Sequence, residues 1–417
     1  MSEFSESRKQ VEAFLKRLLA PVDKEASLKF CLPSNDEEAA SLIANILSQI
    51  SQFFYAQPAA LKGIKCNTAW GTADYFSEFH RFWEEHHELV LGVSVNEAKC
   101  KAVAERLEAS YNPFSPSSVF DIYELTPQQI ANTRLFTTIQ DFGFGLKGDF
   151  FALAQEKPYL FKPTEVIQHL SYARQQLEYL GVADYQPDKR MEWASRCAEW
   201  LVANYDGEAF NLGEKHGYNA VEIRSALVEA TIGMNEKKAD MFMRDMQELG
   251  VWELKQFEEV SVASDMNTMR IALRVGIVRA RIPLLSSFLD VFCYQYGAID
   301  AATASAWRQA WELWRQIPNH HSPTSPAYID FLIYNMGRNC CKPSQRRCEK
   351  QCTLVQRQRC VLNKLAVPDC DGWCIFNGLC GTETKKLNPP KSISIFGRYG
   401  WTTAYSGEGG GLGLRCS

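Results

Sequence analysis

Residues 219–250 read NAVEIRSALVEATIGMNEKKADMFMRDMQELG. The first half carries apolar residues at helical spacing and stops at Gly233. The second half sets Ala239, Phe242, Met243, Met246 and Leu249 on one stripe, with Gly250 placed to end it. The pattern predicts two helices joined by a short glycine turn. The second helix of such a hairpin aims its first backbone N–H groups outward, where they can meet a phosphate. Lys237 and Lys238 fall in that first turn, and can be read as solvated charges, phosphate contacts or a nucleophile. On a helical wheel Lys238 borders the apolar stripe, while Lys237 points nearly opposite.

Working outward, residues 128–338 read as one all-helical domain. TPQQIANTRLFTTIQDF opens it, with Thr126 as N-cap and Pro127 at the first helical position. Further helical stretches stop at Gly181 and Gly207. Trp307, Trp311 and Trp314 recur at i, i+4 and i+7, the spacing of a core stripe. Residues 1–120 read as a separate, mainly helical N-terminal domain of unknown role, closed by the Pro/Ser-rich linker YNPFSPSSVFD at 111–121. Within it, Glu84 and His87 have a spacing used in di-metal bundles, but no second motif accompanies them, so His80 to Glu88 read as a solvated charged face. Residues 381–417 form a Gly- and aromatic-rich tail, in which KSISIFGRYGW alternates enough for a short strand or hairpin.

The 417-residue chain has a net charge of −4, so any nucleic-acid surface must be a local patch. The first residues are polar, and no apolar run is long enough to span a bilayer; a cytoplasmic location and no membrane partner are expected. Of the fourteen cysteines, nine follow residue 339. Cys341, Cys348, Cys352 and Cys360 form a first group, and Cys370, Cys374 and Cys380 a second, within a Cys-rich segment at 339–380. In a chain without an export signal, such clustering favours metal over disulfides. The thiolates suit an iron–sulfur cluster, with tetrahedral zinc as the alternative. The same stretch is basic: 338–364 holds eight Arg and Lys, Arg346 and Arg347 among them, against the single acid Glu349. A metal-stapled basic loop reads as a phosphate-binding patch.

Asp265, in VSVASDMNTMRIALRVGIV, directly precedes a helical pattern that carries Arg270, and on its own reads as an N-cap. The order of these features resembles the helix–hairpin–helix DNA glycosylase superfamily, its iron–sulfur (endonuclease III) and archaeal oxoguanine-type branches above all. Lysine-using members carry G-x-G-x-K-x-A-D, then V-D-x-x-x-x-R, then a cysteine cluster after the last helix. Gly233, Lys237, Ala239 and Asp240 fall on the first pattern, and Asp265 and Arg270 on the second. Asn235 stands at the second glycine. The resemblance covers about residues 128–380 and implies a helix–hairpin–helix glycosylase-like fold.

It further implies a DNA glycosylase, with or without AP lyase activity, that flips a modified or damaged base out of double-stranded DNA. Lys237 is then the nucleophile, with Lys238 as the neighbouring candidate, and Asp265 stabilises positive charge on the sugar. Gly233, Asn235, Arg270, Arg346 and Arg347 are the expected DNA contacts, and a [4Fe–4S] cluster is the expected cofactor. The extra N-terminal domain and the altered hairpin suggest an unusual base, including a hypermodified phage base in antiviral defence. Two other readings stay open: an enzyme acting on free modified nucleotides or nucleosides, and a non-catalytic DNA-binding module.

Overall fold

The computed structural model describes residues 24–34, 65–68, 71–74, 92–111, 122–141, 146–280, 289–341, 351–358, 372–381, 393–397 and 400–404, with a few isolated positions before residue 43 and near residue 385. The chain is mainly helical. It divides into two compact units, each discontinuous in sequence: residues 1–103, 269–306 and 376–417 form one, and residues 104–268 and 307–375 the other. Residues 269–306, expected from the sequence to belong with 128–338, cluster instead with the first unit.

In the first unit helix α1 is Lys24–Lys29, and strands β1 (Lys65–Thr68) and β2 (Gly71–Asp74) pair antiparallel. This hairpin lies in a region that the sequence marks as mainly helical, because four-residue strands are too short to establish an alternating pattern. Strand β3 (Ser94–Val95) precedes helix α2 (Glu97–Ser110) and pairs with β4 (Val278–Arg279). Strands β5 (Ile393–Gly397) and β6 (Gly400–Ala404) make the hairpin expected of the tail.

The second unit is built round helix α3 (Pro127–Gln140). Its start follows the chemistry of the sequence: Thr126 accepts from the Gln129 amide while the Gln129 side chain accepts from the Thr126 amide, and Pro127 occupies the first turn. Every residue from Ile130 to Gln140 is buried, so α3 is a central helix covered on all sides. Around it lie α4 (Phe150–Glu156), capped by Asp149, then α5 (Pro163–Gln168), α6 (Leu170–Tyr179), α7 (Pro187–Tyr205) and α8 (Phe210–Lys215). Phe136, Phe151, Phe161, Leu201, Phe242 and Met246 belong to one continuous core. Helix α12 (Leu289–Arg315) ends in this unit, and its Trp307, Trp311 and Trp314 are buried as their spacing predicts. Trp311 Nε1 donates to the Pro323 carbonyl at 2.8 Å, so the indole loses no hydrogen bond on burial.

The predicted hairpin consists of α9 (Ala220–Glu229) and α10 (Glu236–Glu248). Gly233 between them has φ +81°, and a Cβ there would meet the Trp193 ring at 2.3 Å, so both backbone conformation and contact demand glycine. Helix α11 (Met266–Val275) follows, then α13 (Ala327–Asn335), which passes into a π-helical turn at Met336–Cys340.

Four charged side chains lock α3, α10 and α13 together. Arg134 Nε donates to Asp245 Oδ2 at 2.9 Å, Arg244 Nη2 donates to Asp245 Oδ1 at 2.8 Å, and Arg244 Nη1 donates to Asp330 Oδ2. Arg134 and Asp245 are buried, and the others nearly so. Burial works against the charge on Asp245, but Arg134 and Arg244 hold its carboxyl below the usual carboxylate range. Removing Asp245 strands the buried Arg134 guanidinium and leaves Arg244 with Asp330 alone. Asp245→Ala is expected to cost about 3–5 kcal/mol of unfolding free energy in chemical denaturation, whereas Glu222→Ala, at an exposed position of α9, changes it by less than about 0.5 kcal/mol.

Candidate functional site

The first turn of α10 separates the two lysines. Asn235 caps the helix, its Oδ1 accepting from the Lys238 amide at 3.0 Å. Asparagine at this position therefore supplies a cap to the turn. Lys238 is 9% exposed and its amine points inward, donating to the carbonyls of Ile139 at 2.8 Å and Gly233 at 2.9 Å. It also lies 5.1 Å from the centre of the Trp193 ring, a cation–π distance. Burial depresses its pKa to about 7; Asp141 opposes this shift, and Arg190, Lys189 and Lys237 add to it. Lys237 is half-buried, and among the described residues its amine makes no hydrogen bond or ion pair. Lys238 thus ties the hairpin to the end of α3, while Lys237 has an uncommitted amine.

Asp265 caps α11, as its position predicts. Its Oδ1 accepts from the Asn267 and Thr268 amides, both at 2.8 Å, and its Oδ2 from Asn267 Nδ2 at 2.9 Å. The approach to Asp265 is held by Asp240, the last residue of the hairpin motif. Asp240 Oδ1 accepts from Arg224 Nε at 2.6 Å and Oδ2 from the Ser261 amide at 3.0 Å. Burial raises the Asp240 carboxyl to about 6 against the opposing charge of Arg224. Arg308 braces the same loop by donating to the Glu258 and Glu259 carbonyls at 3.0 and 2.9 Å. On the far side Gly337 allows close approach, since a Cβ there would meet Asn267 at 2.6 Å. The motif residues are therefore physically linked: Asp240 positions the loop that presents Asp265.

Two further carboxylates belong to this neighbourhood, and neither is singled out by the sequence motifs. Asp141 follows the last turn of α3; its carboxylate interacts with the charges of Arg134, Lys238, Lys237 and Asp265. Asp330 on α13 is raised to about 6 by burial, opposed by Arg244 and Lys237 and reinforced by Asp265. Asp330 leaves one trace in the sequence, as the isolated acid in the apolar run AYIDFLIYN. Chemically, the cluster offers an available amine among carboxylates at the start of a helix, a set suited to a carbonyl or to a cationic sugar carbon.

Arg270, expected to contact DNA, is buried on α11 and does not offer its guanidinium at an open surface. Its helix carries apolar residues on both flanks, Met269 and Ile271, which draw that turn inside. Arg346, Arg347, Cys348, Cys360 and Cys370 lie outside the described residues, as do His80 to Glu88. Cys341, Cys352, Cys374 and Cys380 are described and half-buried. Among the described residues no group of three or more His, Cys, Asp or Glu side chains is arranged to hold a metal ion. Within the second unit the backbones at Cys352 and Gly372 meet: the Cys352 amide donates to the Gly372 carbonyl at 2.8 Å, and a Cβ on Gly372 would meet the Cys352 carbonyl at 3.0 Å. That close backbone contact brings Cys374 into the vicinity of Cys352.

Folding lowers the Lys238 pKa from 10.5 to about 7. Between those values the unfolded chain binds the extra proton, so stability rises with pH across that window. Lys238→Met is expected to lack this rise when unfolding free energies are compared at several pH values from neutral upward. The difference between the two proteins cancels Glu248, which burial raises to about 8 and which both retain. No protein-family model matches the chain, and no curated protein matches it.

Proposed function

We propose that the protein is a DNA glycosylase with AP lyase activity, acting on a modified or damaged base in double-stranded DNA. The observation that carries this reading is the placement of an uncommitted lysine, Lys237, in the first turn of a hairpin helix whose motif aspartate, Asp240, holds the loop leading to Asp265. A base must leave the stack before its glycosidic bond can be cut. As that bond breaks, positive charge grows on the sugar, and Asp265 is the carboxylate that offsets it. Its orientation is set by the α11 amides. Lys237 attacks C1′ and forms a Schiff base after ring opening, which permits strand cleavage. Lys238 supports the hairpin, because its amine is already engaged by two carbonyls.

The cysteines after residue 339 would hold an iron–sulfur cluster, [4Fe–4S] being the form proposed, whose contribution is to staple the basic loop. Asn235 and the hairpin amides, with that loop, would contact phosphates. The substrate proposed is an unusual base, including a hypermodified phage base in antiviral defence. A second reading is an enzyme on free modified nucleosides: Asp141, Asp265 and Asp330 stand among the cations Arg134, Lys238 and Arg244, a mixed polar set that a small ligand can also satisfy.

Borohydride reduction during incubation with an abasic duplex is expected to trap a covalent adduct with the wild-type protein and with Lys238→Met, but none with Lys237→Ala. Base release from DNA without trapping would make the enzyme monofunctional, with Asp265 activating water. Activity on free nucleosides that duplex DNA does not compete would favour the second reading. Asp265→Asn is expected to lower base release by about 100-fold. Purified aerobically, the protein is expected to be brown, with visible absorption bleached by dithionite; a colourless zinc-containing protein would replace the cluster with zinc.

A further inference from the structure

Among the described tryptophans, Trp252, Trp307, Trp311 and Trp314 are buried, and Trp193 and Trp200 half-buried. Trp373 differs from them, being 39% exposed. The backbone of the Cys-rich segment sets its position. Helix α14 (Leu354–Gln358) starts on a capping box, the Thr353 amide donating to Gln356 Oε1 at 3.1 Å and the Gln356 amide to Thr353 Oγ1 at 3.3 Å. Gly372 lies against this turn. Its carbonyl accepts from the Cys352 amide at 2.8 Å, and a Cβ on it would meet the Cys352 carbonyl at 3.0 Å and Arg357 Cδ at 3.3 Å. Trp373 is the next residue, so the same contact brings it to the start of α14. There Leu354 and Val355 are 62% and 55% exposed.

An indole and two aliphatic side chains gathered at one place on the surface mark a contact with another molecule. The charge around them selects that molecule. Residues 338–364 carry eight Arg and Lys against the single acid Glu349, and Arg357 lies beside Gly372 itself. A polyanion with apolar faces meets both demands. Single-stranded nucleic acid supplies one phosphate and one open base face per nucleotide, whereas a duplex hides its base faces in the stack. Helix α14 has five residues, too few for a helix that lies in a lipid surface. A second copy of the chain would need about 1,200 Å² of buried surface for a stable dimer, beyond what three partly exposed side chains provide.

We propose that Trp373, Leu354 and Val355 form a stacking contact for an unpaired nucleobase, and that the Cys-rich segment thereby binds single-stranded nucleic acid. The indole lies on the base, the two aliphatic side chains flank it, and the basic residues of 338–364 take the phosphates on either side. Every base has a π-face, so the contact reads strandedness rather than sequence. The inference does not depend on the glycosylase reading, which places its chemistry at Lys237.

The test is binding of the full chain, followed by fluorescence anisotropy, to labelled oligo-dT and oligo-U of about fifteen nucleotides, to a duplex of the same length and to poly-glutamate. Trp373→Ala is expected to weaken single-strand binding by about tenfold or more while duplex binding stays within about twofold, and Trp373→Phe to hold single-strand binding within about threefold. The salt dependence of Trp373→Ala is expected to match wild type, because its phosphate contacts are intact. A loss on one oligonucleotide alone names the strand, DNA or RNA, and upholds the contact. If Trp373→Ala lowers the thermal midpoint, Leu354→Ser combined with Val355→Ser, at the more exposed positions, decides instead, with an expected loss of about threefold or more. Single-strand binding by Trp373→Ala within about twofold of wild type, an equal loss in Trp373→Phe, or poly-glutamate held as tightly as oligo-dT would overturn the contact. So would a wild-type protein that binds neither oligonucleotide, or one whose Trp373 serves binding to phosphatidylserine vesicles in their place. Base release and borohydride trapping report on Lys237 separately, so either reading can fail while the other stands.

Discussion

The buried chain Arg134–Asp245–Arg244–Asp330 is the constraint on which the helical unit depends. Charges taken out of water gain little over apolar packing when paired, but cost several kcal/mol when any one is left alone. Such a chain selects the arrangement in which every partner is present. Here that arrangement fixes α10 against α3 on one side and α13 on the other. A register slip of one turn in α10 would remove Asp245 from Arg134 and Arg244 from Asp330 together.

Fixing α10 also fixes its first turn, and there Gly233, Trp193 and Lys238 act as one joint. The ring fills the space that a side chain on residue 233 would need, and the Lys238 amine closes the joint by reaching the carbonyls of Gly233 and Ile139. Adjacent lysines thus acquire opposite fates from helix geometry alone, since successive residues point about 100° apart. One becomes a desolvated support, and the other keeps its amine available beside Asp141 and Asp330. The loop to Asp265 is held by Asp240, Arg224 and Arg308, so the motif spacing corresponds to a mechanical connection.

Local features were legible from the residues. The Thr126–Gln129 capping box, the glycine stops, the tryptophan stripe and the capping role of Asp265 follow from spacing and side-chain chemistry over a few positions. The motif pattern alone ranks Lys237 before Lys238; that the Lys238 amine faces inward, onto the Ile139 and Gly233 carbonyls, is visible only in the fold. The short β1–β2 hairpin and the burial of Arg270 were not legible, because one depends on pairing too brief to pattern and the other on what packs over a helix face.

The sequence by itself determined where helices begin and end, which faces are apolar, and that a glycine turn precedes two lysines. These are properties of neighbours within about one or two turns, where propensity and periodicity act. Only the tertiary structure decided that Asp141 and Asp330 join those lysines. They lie roughly a hundred residues to either side of α10, and no local rule brings together groups so far apart. Their meeting is set by burial and by the pairing of charges that cannot be left unpartnered in the core.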